Sequence, residues 1–138
     1  MVGAADNYET DVMRYTAYKT ASFSSNTDFF ISLHTADPGE AGDQSTSETT
    51  YTSYARVQVG RTSATLSVST NVMFNVTAIT FPAGTGGTGT VTHFGVGQSS
   101  TAGVAGTLYF SGALTANLAV GSSVTPSFGA DQLRISAN

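Results

Sequence analysis

The sequence predicts an all-β protein, an antiparallel β-sandwich or jelly roll of about eight strands with a short N-terminal helix. Apolar and polar residues alternate over many short runs, as in strands that bury one face and expose the other. Charged residues make up 10% of the chain, against a usual figure of about 25%. By contrast, the sequence contains 22 Thr and 17 Ser, and Thr suits the half-buried surface of a sheet.

The N-terminal segment has a different period from the rest of the chain. Asn7 or Asp6 can cap a helix by accepting a hydrogen bond from a free backbone N–H. Side chains spaced for one face of that helix belong to Tyr8, Val12, Tyr15 and Lys19. We therefore predict a helix over residues 7–21. Its apolar face is thin, so it needs a neighbour, either the body of the same chain or another subunit.

The period changes to two at the first predicted strand, where Phe29, Ile31 and Leu33 alternate with Phe30, Ser32 and His34. We expect the first set to face the core and the second to face water. Further short strands, separated by turns rich in Gly and Ser, are predicted over residues 54–59, 63–69, 71–76, 78–81, 91–96, 108–111, 124–128 and 133–136. This pattern is typical of a sandwich, a jelly roll or a barrel.

The chain of 138 residues fits a single domain, residues 1–138. We divide it into an N-terminal helical arm, residues 1–22, and a β-sandwich body, residues 28–138. No internal repeat or linker interrupts the body. The longest loops are predicted over residues 36–50, which are acidic, and over residues 98–106, interpreted as a mobile hairpin tip.

Composition disfavours several classes of partner. The net charge is −4 and the five cationic residues are scattered, whereas nucleic-acid binders need clustered cations to displace counterions. No apolar run approaches the ~20 residues that span a bilayer, and the first residues do not resemble a secretion signal. With no cysteine, disulfide and thiol chemistry are excluded. We expect neither a nucleic-acid nor a membrane partner.

A glycine-rich run is the first candidate for cofactor chemistry. Residues 84–89 match the G-x-G-x-x-G pattern, but that motif works only where it leads from a strand into a helix. Here the residues that follow, 91–96, have the pattern of a strand. We predict a hairpin loop and no cofactor.

The other chemical candidates are histidines and acids. His34 and His93 have no metal-ligand spacing, so we predict structural roles for both, although two histidines with a carboxylate are one potential zinc or iron set. Four acids lie in the loop 37–48, which leaves calcium binding open, but their spacing differs from that of a calcium loop and we expect a solvated acidic loop. Ser32 lies two residues from His34 without the surrounding pattern of a nucleophile. We predict no metal site, no catalytic residues and no enzymatic activity.

Five sequence segments are residues 32–42, 54–57, 78–82, 91–97 and 109–114. Taken in this order, they resemble a family of small bacteriophage virion proteins that are often labelled tail-fibre proteins. Some similar small proteins resemble capsid decoration or cement proteins. The resemblance implies a β-sandwich or jelly-roll body, a structural role and no catalytic residues. It implies a place in the virion, after synthesis in the cytoplasm of a bacterial host.

Three functions follow as expectations. A compact chain without repeats favours a capsid decoration or cement protein on the capsid exterior, bound to the major capsid protein and forming a homo-oligomer. The alternatives are a tail-fibre or receptor-binding component bound to tail proteins, and a small carbohydrate-binding β-sandwich. Tyrosine is enriched in interface cores, and the candidate interface residues are Tyr8, Val12, Tyr15, Tyr18, Tyr51 and Tyr54.

Overall fold

A computed structural model describes residues 3–5 and 27–136 of the chain. The described residues contain ten strands, and every pairing between them is antiparallel. The all-β, antiparallel class predicted from the sequence is therefore confirmed. The strands are β1 (Gly3–Ala4), β2 (Asp28–His34), β3 (Val57–Gly60), β4 (Leu66–Ser69), β5 (Val72–Asn75), β6 (Ile79–Thr80), β7 (Thr88–Gly97), β8 (Leu108–Gly121), β9 (Ser127–Phe128) and β10 (Arg134–Ser136).

The strands form three sheets. The largest has the order β1-β8-β7-β2-β3, a second has the order β10-β5-β4, and the third pairs β6 with β9. Residues that lie opposite each other in the large sheet, such as Ile31 and Val96 or Leu33 and Phe94, share one face. All four are buried, at 1–4% exposure. We call this side of the large sheet its core face.

The two smaller sheets contribute to the same hydrophobic core as the core face. Phe128 of β9 packs edge-on against Phe94 of β7, with ring centroids 6.0 Å apart, and against Phe81 at 6.3 Å. Ile135 of β10 is buried in the same cluster, and Leu66 of β4 packs against it. The sandwich or jelly-roll topology stays a prediction, as does the single domain.

The opposite side of the large sheet differs from the sequence-based expectation. Ser32 and His34 were expected to face water, yet both have zero exposure. Residues 35–50 cover this face, because the loop turns back and pairs with the end of β2: Thr35 donates its N–H to Ser47 O, and Thr49 donates to Leu33 O. We call this side of the sheet the covered face. The alternating pattern identified the strand correctly but could not reveal a loop that buries its polar side.

The helix predicted over residues 7–21 lies outside the described residues. Strand β8 is ten residues longer at its C-terminal end than the predicted strand 108–111, since it extends to Gly121. In the part of the chain that the structure describes, no helix is long and apolar enough to cross a membrane.

Candidate functional site

The covered face is organised around His34, which the strand places beside Ser32. His34 Nδ1 lies 2.8 Å from Thr46 O, and its Nε2 lies 2.8 Å from Ser32 Oγ. A carbonyl oxygen only accepts, so Nδ1 carries the proton and Nε2 accepts the Ser32 hydroxyl hydrogen. Burial lowers the pKa of His34 below its usual value, which favours this neutral ring.

Two glycines of β7 make room for these polar side chains. Ser32 lies opposite Gly95 in the sheet. A Cβ atom on Gly95 would lie 2.6 Å from Ser32 Oγ and 2.7 Å from His34 Nε2, and one on Gly97 would lie 2.2 Å from the side-chain carbonyl carbon of Gln44. The two glycines at i and i+2 therefore form a trough on the covered face, filled by Ser32, His34 and Gln44.

A buried ion pair fastens the acidic loop. Arg56 binds Glu48 with two parallel hydrogen bonds, Nε to Oε1 at 2.7 Å and one terminal guanidinium nitrogen to Oε2 at 2.8 Å. The two side chains are 0% and 3% exposed. Tyr54 donates its hydroxyl hydrogen to Glu48 Oε1 and accepts the Leu33 N–H. Burial, followed by the Glu48 charge, raises the pKa of Tyr54, so Tyr54 stays a neutral donor.

The same ion pair also holds the loop 98–106. Arg56 donates to Ser99 O and Val104 O, and Gly103 N–H donates to Glu48 Oε2 at 2.8 Å. Gln44 adds a further link, because its side-chain oxygen accepts the Ser99 N–H and its amide donates to Phe30 O. We call Gln44, Glu48, Tyr54 and Arg56 the polar clamp. From the sequence we interpreted this loop as a mobile hairpin tip. In the structure the polar clamp is hydrogen-bonded to it, and its mobility stays a prediction.

The acidic loop was expected to be solvated, and for Glu48 that is wrong. Two further acids of the loop are engaged locally. Asp43 accepts hydrogen bonds from the Ser45 hydroxyl and N–H, which lower the pKa of Asp43, and Asp37 accepts the Gly39 N–H. Within residues 3–5 and 27–136, no group of three or more His, Asp or Glu side chains is arranged to hold a metal ion.

The structure also locates the interface candidates that it describes. Tyr51 is 3% exposed and donates its hydroxyl hydrogen to Pro82 O. Tyr54 is half-buried and belongs to the polar clamp. Both rings pack within this chain, 5.4 Å apart, and their role at an interface stays a prediction. Tyr8, Val12, Tyr15 and Tyr18 lie outside the described residues.

A groove on the other side of the molecule was missed by sequence analysis. In the β7–β8 ladder, Val91 pairs with Leu118 and His93 pairs with Ala113. Four residues of β8 thus lie opposite the single residue Thr92, and they form a bulge over residues 114–117. The bulge forms one wall of an open groove of about 690 Å³, which we call the β8 groove.

The opposite wall of the β8 groove is the segment 126–134. Asn75, which is fully buried, fixes this wall: its amide donates to Gly129 O and its side-chain oxygen accepts the Leu133 N–H. Leu33 and Phe94 also line the groove. The lining is mostly apolar, with Arg134 as its charged residue, and Arg134 pairs with Asp131 at 2.6 Å. A concave apolar surface with a few polar groups is typical of a binding site.

Comparison with known families identifies the chain. The family model described as "Podophage GP4 fiber I protein gp80" matches residues 3–136. No curated protein matches the chain. The family match spans both the covered face and the β8 groove.

Proposed function

We propose that this chain, which belongs to the podophage GP4 fiber I protein family, is a non-enzymatic structural component of the virion located in a tail fibre. The observation that carries the proposal is the match over residues 3–136, since it includes every residue that the structure describes. A virion structural role follows from the family itself. The finer assignment to a fibre, bound to tail proteins, rests on the printed description of that family.

The geometry of the covered face supports a structural role. Its Ser32–His34 pair is the arrangement most like a hydrolytic dyad, but both side chains have zero exposure. A nucleophile and its base must contact the reacting atoms of a substrate. Here a backbone carbonyl and a serine hydroxyl occupy both ring nitrogens. These residues fasten a loop to the sheet and leave no position for a substrate.

Capsid decoration remains the second candidate, favoured by the compact chain without repeats. A decoration protein covers a shell and is needed in large numbers, whereas a fibre is attached at a few sites. The chain would then bind the major capsid protein on the capsid exterior. Copy number separates the two candidates.

The test is to purify virions that encode this chain and to count its copies against the major capsid protein by quantitative mass spectrometry. We expect a few to a few dozen copies per particle, which places the chain on the tail. Hundreds of copies in a simple ratio to the capsid subunit would contradict the assignment to a tail fibre and support capsid decoration. Absence from the particle would overturn both candidates.

A further inference from the structure

The charges of this chain are segregated along the sequence. Between Arg61 and Asp131 there is no Asp, Glu, Lys or Arg. This uncharged stretch supplies strands β4 to β9 and almost all of the lining of the β8 groove. The chain carries a net charge of −4, so two copies repel each other wherever their acidic segments meet. Surfaces built from residues 62–130 bring no like charges together.

The β8 groove is part of this uncharged surface. Leu114 and Leu118 are half-buried on its β8 wall, while Ala113, Thr115 and Ala116 beside them are exposed. The bulge leaves residues 114–117 without partners in the β7 ladder. Depletion of charge together with exposed apolar side chains is characteristic of the core of a protein interface.

The hairpin formed by β4 and β5 carries the most exposed large apolar side chain among the described residues, that of Val68. Leu66 and Val68 lie on the same side of β4, since they are two residues apart. Leu66 packs against the core, but Val68 is 70% exposed. Val68 therefore lies on the core-facing side of the hairpin at a point that the body of the chain does not cover. The hairpin turns through Thr70 and Asn71, both with positive φ, which is typical of a tight two-residue turn.

We infer that two copies of this chain associate head to tail, with the β4–β5 hairpin of one copy inserted in the β8 groove of the next and Val68 as its apolar anchor. A groove and an exposed apolar hairpin at different places on one chain generate a heterologous contact, which closes into a ring if the rotation permits. Both surfaces are free of net charge, because the one charged residue that lines the groove is paired with Asp131. In the homo-oligomer that we predict from the sequence, the hairpin and the β8 groove would thus form the contact between copies.

The absence of native cysteine permits a direct test by disulfide trapping. One preparation carries Val68→Cys and a second carries Ala116→Cys in the bulge. Mixed under mild oxidation, they form a covalent dimer at least about tenfold faster than a mixture of Val68→Cys with Ala41→Cys, because docking raises the effective concentration of the two thiols. Ala41 is exposed on the acidic loop and serves as the matched control. Mass spectrometry of the linked peptides identifies the bond.

Light scattering provides an independent measurement. The unmodified chain is expected to form oligomers, and Val68→Asp is expected to shift it to the monomer without change in its circular dichroism. Equal trapping rates of Val68→Cys with the Ala41→Cys and Ala116→Cys preparations overturn the inference, and so does faster trapping of Val68→Cys with itself, which indicates a symmetric hairpin contact. A chain that stays monomeric at millimolar concentration overturns it too. Neither measurement depends on copy number in the virion.

Discussion

The covered face and the β8 groove differ in how much of the sheet surface is buried within the chain. On the covered face, two loops bury polar side chains, and in the described part of the chain every buried side-chain nitrogen or oxygen has a hydrogen-bond partner. At the groove, apolar side chains of β8 stay partly exposed and the ladder is interrupted by a bulge. The first region is complete within one chain, whereas we propose that a second copy of the chain completes the other. The comparison predicts that substitutions in the two regions affect different measurements.

The largest expected effect is at the polar clamp. Arg56→Met keeps most of the side-chain volume and leaves Glu48 buried without its cation. Breaking a buried ion pair in this way costs about 3–5 kcal/mol of unfolding free energy, which denaturant titration measures. The double variant Glu48→Gln, Arg56→Met removes the isolated charge and is expected to recover part of that loss.

Arg134→Met is the matched control, since Arg134 and Asp131 are 56% and 51% exposed. An exposed pair contributes about 0–1 kcal/mol. If Arg56→Met costs no more than Arg134→Met, the clamp does not hold the two loops and the contrast with the groove fails.

The second effect concerns the trough in β7. Gly95→Ala introduces a Cβ atom within 3 Å of Ser32, His34 and Leu108. Overpacking of this kind costs about 1–3 kcal/mol, seen as a lower midpoint of thermal or denaturant unfolding. Gly89→Ala lies in the same strand but meets its nearest atom at 3.6 Å, so its effect is expected to be much smaller. Equal effects would mean that strand propensity, and not the trough, explains the glycine.

The trough also illustrates which features of the fold the sequence does not predict. Local alternation identified nearly every strand, because it depends on residues two positions apart. It placed Ser32 and His34 in water, since what buries them is a loop whose Glu48 pairs with Arg56 only after folding. The β8 groove depends on a register shift between distant strands, which no local pattern encodes. The paired glycines of β7 were the one local signal of a polar trough.

The third effect is a pH dependence that comes from the covered face. Burial lowers the pKa of His34 in the folded chain, whereas the unfolded chain has the ordinary value of about 6.5. Below about pH 6.5 the unfolded state therefore binds a proton that the folded state does not. The contribution of the neutral, buried His34 to the free energy of unfolding is therefore fully present above that pH. It decreases as the pH falls, by at most about 1.4 kcal/mol per pH unit.

The matched variant for this prediction is His34→Asn, measured by urea unfolding between pH 5 and pH 8. Its stability is expected to be lower at pH 8 but to depend less on pH. The charged groups that act on His34 are Glu48, Arg56 and His93. An unchanged pH dependence in His34→Asn would contradict the assignment of the effect to His34.

The smallest effect on stability is expected at Val68, on the exposed β4–β5 hairpin. Val68→Thr replaces a side chain that is 70% exposed by one of the same shape, so the unfolding free energy of the dilute chain changes by no more than about 0.5 kcal/mol. The same substitution at Val59, which is 7% exposed, buries a hydroxyl group and costs about 1–3 kcal/mol. Association stabilises a folded chain by a free energy that rises with the logarithm of the chain concentration. The unfolding midpoint of the unmodified chain is therefore expected to rise with concentration, and that of Val68→Thr to rise less. Parallel concentration dependence in the two chains would mean that Val68 is an ordinary exposed residue and that whatever completes the β8 groove is not this hairpin.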